Sequence, residues 1–259
     1  MSADVTRDFA FGLPKAELHL HLEGTLEPDL KLALARKNGV DIGQSTVEEV
    51  RSTYQFNDLT SFLAVYYPAM DVLQDEDDFH DLAAAYFERA RANGVVRAEC
   101  FFDPQAHTSR GIAIETVIRG YYRAVVEARE SGLSADLILC FLRDMSAESA
   151  LETLQVALPY KDMFIGVGLD SDDPAYFGGY IADYYFALAE RFGLDCSALA
   201  RIARNSIEIS WAPDQDKERL LAGLEAFEAG EGLVLPLTRG PRLAPCTGRV
   251  RRGEDFVIQ

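Results

Sequence analysis

The chain has 259 residues, 48% hydrophobic and 26% charged, which is the balance of an ordinary soluble globular protein with room for one sizeable core. Its net charge of -17 argues against nucleic acid and anionic membrane surfaces as partners, and no segment approaches the ~20 apolar residues of a membrane span. Four scattered cysteines without a C-x-x-C pair, and no apolar run from Met1 to Gly12, predict free thiols, no signal peptide and a cytoplasmic protein.

The first predicted element is the short strand in Glu17-Leu18-His19-Leu20-His21-Leu22-Glu23-Gly24. Side chains at i and i+2 leave a strand by the same face, so His19 and His21 project together while Leu18, Leu20 and Leu22 face apolar packing. Two neutral imidazoles on one rigid strand make half of a first-row metal site, with zinc the leading candidate. Two histidines satisfied by hydrogen bonds on a polar face are the alternative. Gly24 lets the backbone pass close to whatever lies above the strand end.

A helix is predicted from Glu27 to Gly39, and Thr46-Val47-Glu48-Glu49 has the form of a capping box opening another. In Phe56 to Leu63, the spacing of Leu59, Phe62 and Leu63 is that of a helix packing into the core. Asp75 to Ala92 is a helix with Phe79, Leu82, Ala83, Tyr86 and Phe87 inward, on which His80 is a solvated or hydrogen-bonded side chain. Val95 to Asp103 is a second strand ended by Pro104, and His107 lies on the loop after it, with a structural or a substrate-touching role open. Next come a helix over Ile112 to Ser131, a strand over Asp136 to Phe141, a helix over Ser146 to Leu158 and a strand over Met163 to Asp170. Strands and helices alternating this regularly predict a parallel α/β fold, and the repeated βα unit favours a barrel. Helices over Ile181 to Phe192, Cys196 to Trp211 and Pro213 to Ala229 complete the order. From Gly230 onward, glycines and prolines break any long element and arginines outnumber acids, so residues 230–259 read as a flexible tail.

Pro14 to Leu26 closely resembles the first barrel strand of the adenosine/adenine deaminase family, metal-dependent (β/α)8 barrels that hydrolyse the 6-amino group of a purine. Glu99 to Thr108 is similar to the adenine deaminase branch in particular, and so is Glu23 where adenosine deaminases have Asp. The resemblance implies zinc held by His19 and His21, a small purine base as ligand, Glu23 and Gly24 at the rim, and a lid of Phe56, Leu59 and Phe62 over the purine. Gly166 to Ser171 is similar to the family's fourth strand, whereas Ser171 to Tyr180 is similar to the segment after its eighth strand. The resemblance then makes Asp172 a further zinc ligand and Asp173 a hydrogen-bonding partner of the purine.

The chain passes from one block to the other at residues 170–173 with nothing between. In the family the intervening segment carries the third histidine ligand, the general-acid Glu and a catalytic His, and no histidine follows His107 here. Residues 1–229 are thus expected to form a truncated (β/α) TIM-barrel-type fold, an incomplete barrel with no catalytic residue of its own. The function implied is adenine deaminase-like, by descent, with a non-catalytic internal-deletion product as the alternative. Ile165 to Asp173 should form one strand, lying beside the first strand or beside the third. If beside the first, it would bring His19, His21 and Asp172 together. Sheet edges should be exposed or covered by another chain, as in a homo-oligomer.

Overall fold

The computed structural model describes residues 5–142, 145–168 and 181–230. Asp170 to Asp173, with Asp172 and Asp173, and the tail from residue 231 lie outside the described residues. A short helix α1 (Arg7–Gly12) precedes β1 (Lys15–His21), which runs into a 3-10 turn at Leu22–Thr25. Then come α2 (Pro28–Asn38), α3 (Val47–Ser52), α4 (Leu59–Ala69) and α5 (Glu76–Ala92) before β2 (Val95–Phe102). The short α6 (Pro104–Thr108) and α7 (Ile114–Glu130) lead to β3 (Ser134–Cys140), and α8 (Ala147–Ala157) leads to β4 (Gly166–Gly168). The last elements described are α9 (Ile181–Phe192), α10 (Cys196–Ile209) and α11 (Asp214–Glu228).

Local chemistry accounts for these boundaries. Thr46 and Asp75 close capping boxes at the starts of α3 and α5, and Gly39 ends α2 in the left-handed region at φ 64°. The apolar stripe expected on α5 is buried: Phe79, Leu82, Ala83, Tyr86 and Phe87 join Val117, Tyr121 and Val125 of α7 in one core against the sheet. Among the described residues, no helix is long and apolar enough to cross a membrane.

The sheet is parallel throughout, in the order β1-β2-β3-β4. It is an α/β partial barrel: four consecutive strands with helices on the outer face and no closure among the described residues. β4 therefore lies beside β3, as a fourth strand does, and on the opposite edge from β1. Of the two expected positions, only the one beside the third strand is seen, so the described part of this strand does not carry the chain back to His19 and His21. The edge of β1 is covered from within the chain, because the Ala16 N–H donates to Ser206 Oγ of α10 at 3.1 Å. Among the described residues no strand pairs with the outer edge of β4, and Ile165 and Val167 are exposed.

The inner face of the sheet holds buried charge where a closed barrel would have stacked side-chain layers. Arg97 is fully buried, donates to Glu99 Oε1 from Nη2 at 2.8 Å, and pairs with Asp136 through Nη1. Arg129 pairs with the other oxygen of Asp136, and the Trp211 N–H donates to Glu99 Oε1 at 2.6 Å. Asp136 thus places a buried charge within the otherwise apolar run of β3.

Lys15, at the start of β1, is also fully buried, donating to the Asn93 carbonyl and facing the Tyr185 ring at 5.5 Å. Burial lowers its pKa to about 7, against the opposing pull of the Glu17 charge. Between that value and the ordinary lysine range the unfolded chain binds the extra proton, so Lys15 makes stability rise with pH across this window. Lys15→Met is expected to flatten that rise, measured as urea midpoints from pH 7 to pH 10. An unchanged slope would contradict it.

Candidate metal centre

The C-terminal ends of β1, β2 and β3 meet at one place, the end of a βα sheet where functional residues gather. β1 delivers His19 and His21. The register between β1 and β2 slips between Glu17 and Leu20: Leu18 and His19 face the single residue Glu99. This bulge includes His19 itself and re-aims the strand end. His19 is exposed and His21 buried, and their ring centroids are 6.3 Å apart. Both rings lie on Phe101 of β2, His19 at 4.7 Å and His21 stacked at 5.3 Å. Gly168 of β4 makes room for that platform, since a Cβ there would sit 2.3 Å from Phe101 Cε1.

His21 Nδ1 lies 2.6 Å from Asp103 Oδ2. A carboxylate on one ring nitrogen is the usual support of a metal-binding imidazole, because it fixes the tautomer and leaves the lone pair on Nε2. Burial raises the Asp103 pKa, and the nearby Glu23 charge adds to this, against the lowering effect of the His21 hydrogen bond. Cys140, at the end of β3, completes a buried group in which ligand atoms of His21, Asp103 and Cys140 all lie within 4.8 Å of one another.

Glu23 sits behind this group, 1% exposed, in the 3-10 turn after β1 with Gly24 beside it. Its Oε1 accepts from His107 Nε2 at 2.9 Å, Tyr121 OH at 3.1 Å and the Asp103 N–H at 3.1 Å. Burial pushes this carboxyl up, but the hydrogen bond and charge of His107 outweigh it and hold the pKa below the ordinary value. Arg110 Nη2 lies 2.9 Å from His107 Nδ1, so His107 bridges Arg110 and Glu23 and has the structural role. It belongs to the helix α6 rather than to a loop.

Glu23 Oε2 and Asp103 Oδ1 are both buried with no hydrogen-bond partner among the described residues. Two neighbouring buried carboxylates, each with an oxygen that meets no donor, are an environment for a cation. The residues present therefore fit a divalent metal. Phe56 and Phe62 lie edge to face at 5.3 Å; Phe62 is buried in the main core and Phe56 half-buried against it. Asp103, Cys140, Phe101 and Tyr121 are not marked out by the sequence, although Asp103 stands inside the Glu99 to Thr108 motif.

A model of the family described as adenosine deaminase matches residues 14–171 and 160–227. The chain belongs to the adenosine deaminase family. An adenine deaminase of Hahella chejuensis is 35% identical over 329 aligned residues, covering 85% of this chain and 98% of the relative. An adenine deaminase of Rhodospirillum rubrum is 54% identical over 166 residues, 64% of this chain. In that match the chain spans 50% of the relative's length. The crystal structure of adenine deaminase from Arthrobacter aurescens superposes with a TM-score of 0.81 at 32% identity, covering 84% of this chain and 99% of that one. An amidohydrolase from Burkholderia ambifaria, solved with bound Zn, shares the fold with a TM-score of 0.73 at 18% identity.

Within this family the chain is short in its middle. The match to the Hahella protein runs over 329 positions, whereas 85% of 259 residues is about 220. More than a hundred positions of that deaminase therefore face no residue here.

Proposed function

We propose that the chain carries the first half of an adenine deaminase site and has lost the half that completes turnover. The reaction it is built for is zinc-dependent hydrolysis of the purine 6-amino group, adenine to hypoxanthine, as in purine salvage. The observation that carries this reading is the His19–His21 pair on Phe101, with His21 braced by Asp103. His19 and His21 would hold the metal; the family resemblance assigns Asp172 as a third ligand and Asp173 to the purine, although β4 runs beside β3 and not beside β1. When bound, zinc lowers the pKa of its water to near neutrality and so supplies the nucleophile. Asp103 fixes the orientation of the His21 ring. Glu23, anchored through one oxygen, keeps the turn at Gly24 close to the site, and Phe56 and Phe62 wall the purine side.

Two histidines and one carboxylate are a permissible zinc set, but the supporting shell of the missing segment is absent. Losses in such a shell alone cost about 10–100-fold in affinity. The purified chain is therefore expected to carry substoichiometric zinc that mild chelation removes, measured by metal analysis before and after dialysis against a chelator. One tightly retained zinc per chain would contradict the reading.

A further inference from the structure

We propose that His21, Asp103 and Cys140 form a second, thiolate-containing site for a divalent cation of the zinc and cobalt class. The inference rests on the reading that this chain holds a metal at His21, but it assigns a different ligand set. His21 and Cys140 are the last residues of the parallel strands β1 and β3, and Asp103 follows β2 directly and caps α6, its N–H donating to Glu23 Oε1. All three are buried, and their ligand atoms lie within 4.8 Å of one another, so a small inward shift of the side chains brings them to the roughly 3.3–3.8 Å edges of a tetrahedral set. Asp103 Oδ1 is buried with no hydrogen-bond partner among the described residues, and the Cys140 thiol faces the same carboxylate, so a cation would satisfy both. Imidazole, carboxylate and thiolate are each ordinary zinc ligands, and three protein ligands with one open position are the usual number at a reactive site.

Nδ1 is the His21 nitrogen on the Asp103 side, at 2.6 Å. To admit the ion, that contact opens to about 3.3 Å, the edge of a tetrahedron with ligands at 2.0–2.1 Å. Binding moves the imidazole proton from Nδ1 to Nε2 and releases the thiol proton to solvent. A neutral imidazole has one lone pair, so this mode and the mode using Nε2 with His19 exclude each other. Cys140 then takes the place of a ligand that the shortened chain no longer offers.

The test is to titrate the full chain with Co2+ and follow the near-ultraviolet thiolate-to-cobalt charge-transfer band, with X-ray absorption on the zinc-loaded chain. The band should appear, persist in His19→Ala and in Cys196→Ser, and disappear in Cys140→Ser and Cys140→Ala. Cobalt affinity in the Cys140 variants should fall by no less than the ~10–100-fold of a lost supporting group. In the unmodified chain zinc should show one sulfur near ~2.3 Å, a readout that needs no variant to fold. Cobalt bound without the band, and lost in His19→Ala, would overturn this inference while leaving the deaminase-type site standing. Loss of both band and binding in the unmodified chain would overturn both.

Discussion

Adenine turnover by the zinc-supplemented chain is expected to fall at least 10²–10⁴-fold below that of an intact adenine deaminase, the usual loss for one positioned acid or base. No histidine follows His107 in this sequence, so a third histidine ligand and a second catalytic histidine have no source in the second half. The buried acids near His21 are poor substitutes for the missing general acid. Glu23 Oε1 is held by three donors, and Glu99 is locked to Arg97 and the Trp211 N–H. These losses fall on one concerted site and should not be summed, but none repairs another. Hypoxanthine formation is the readout, with His19→Ala as the control. Sustained turnover that His19→Ala abolishes would mean that a working site reassembles, for instance between chains.

Arg97→Met should destabilise the fold by about 3–5 kcal/mol, the range for breaking one partner out of a buried charge pair. Arg97 is 1% exposed and joins β2 to β3 by donating to Glu99, Asp136 and Ser134 Oγ. Removing it leaves Asp136 paired with Arg129 but leaves Glu99, 4% exposed, with the Trp211 N–H alone among the described residues, so the uncompensated charge is that of Glu99. Arg97→Lys keeps the charge but not the planar fork and should fall between. Urea melts at neutral pH measure this, and a loss under about 1 kcal/mol, the worth of an exposed pair, would contradict it.

Much of the fold was legible because helix-period stripes and caps are local. The inward face of α5, the Gly39 stop and the Thr46 capping box all arise from residues within a few positions of one another. The His19–His21 pair was legible for the same reason, since period-two alternation puts both rings on Phe101. The features that the sequence hides depend on neighbouring strands. Cys140 looks like one more scattered thiol until β3 places it beside Asp103 and His21. Arg97 and Asp136 look like unrelated charges until the β2–β3 register brings them together. His107 reads as a loop histidine because its partners, Glu23 and Arg110, are chosen by packing. The bulge at Leu18–His19 leaves no mark in a run of alternating leucines and histidines.

The central claim is that half of a deaminase site stands in this chain and the other half is missing from its middle. Restoring the missing half tests it most directly. The corresponding internal segment of the Hahella chejuensis adenine deaminase would be inserted after Asp170, and conversion of adenine to hypoxanthine measured beside the unmodified chain, both supplied with zinc. The account predicts turnover in the chimera, abolished by His19→Ala, and none above background in the unmodified chain. Equal turnover in the two, or a folded, zinc-loaded chimera that remains inactive, would contradict it.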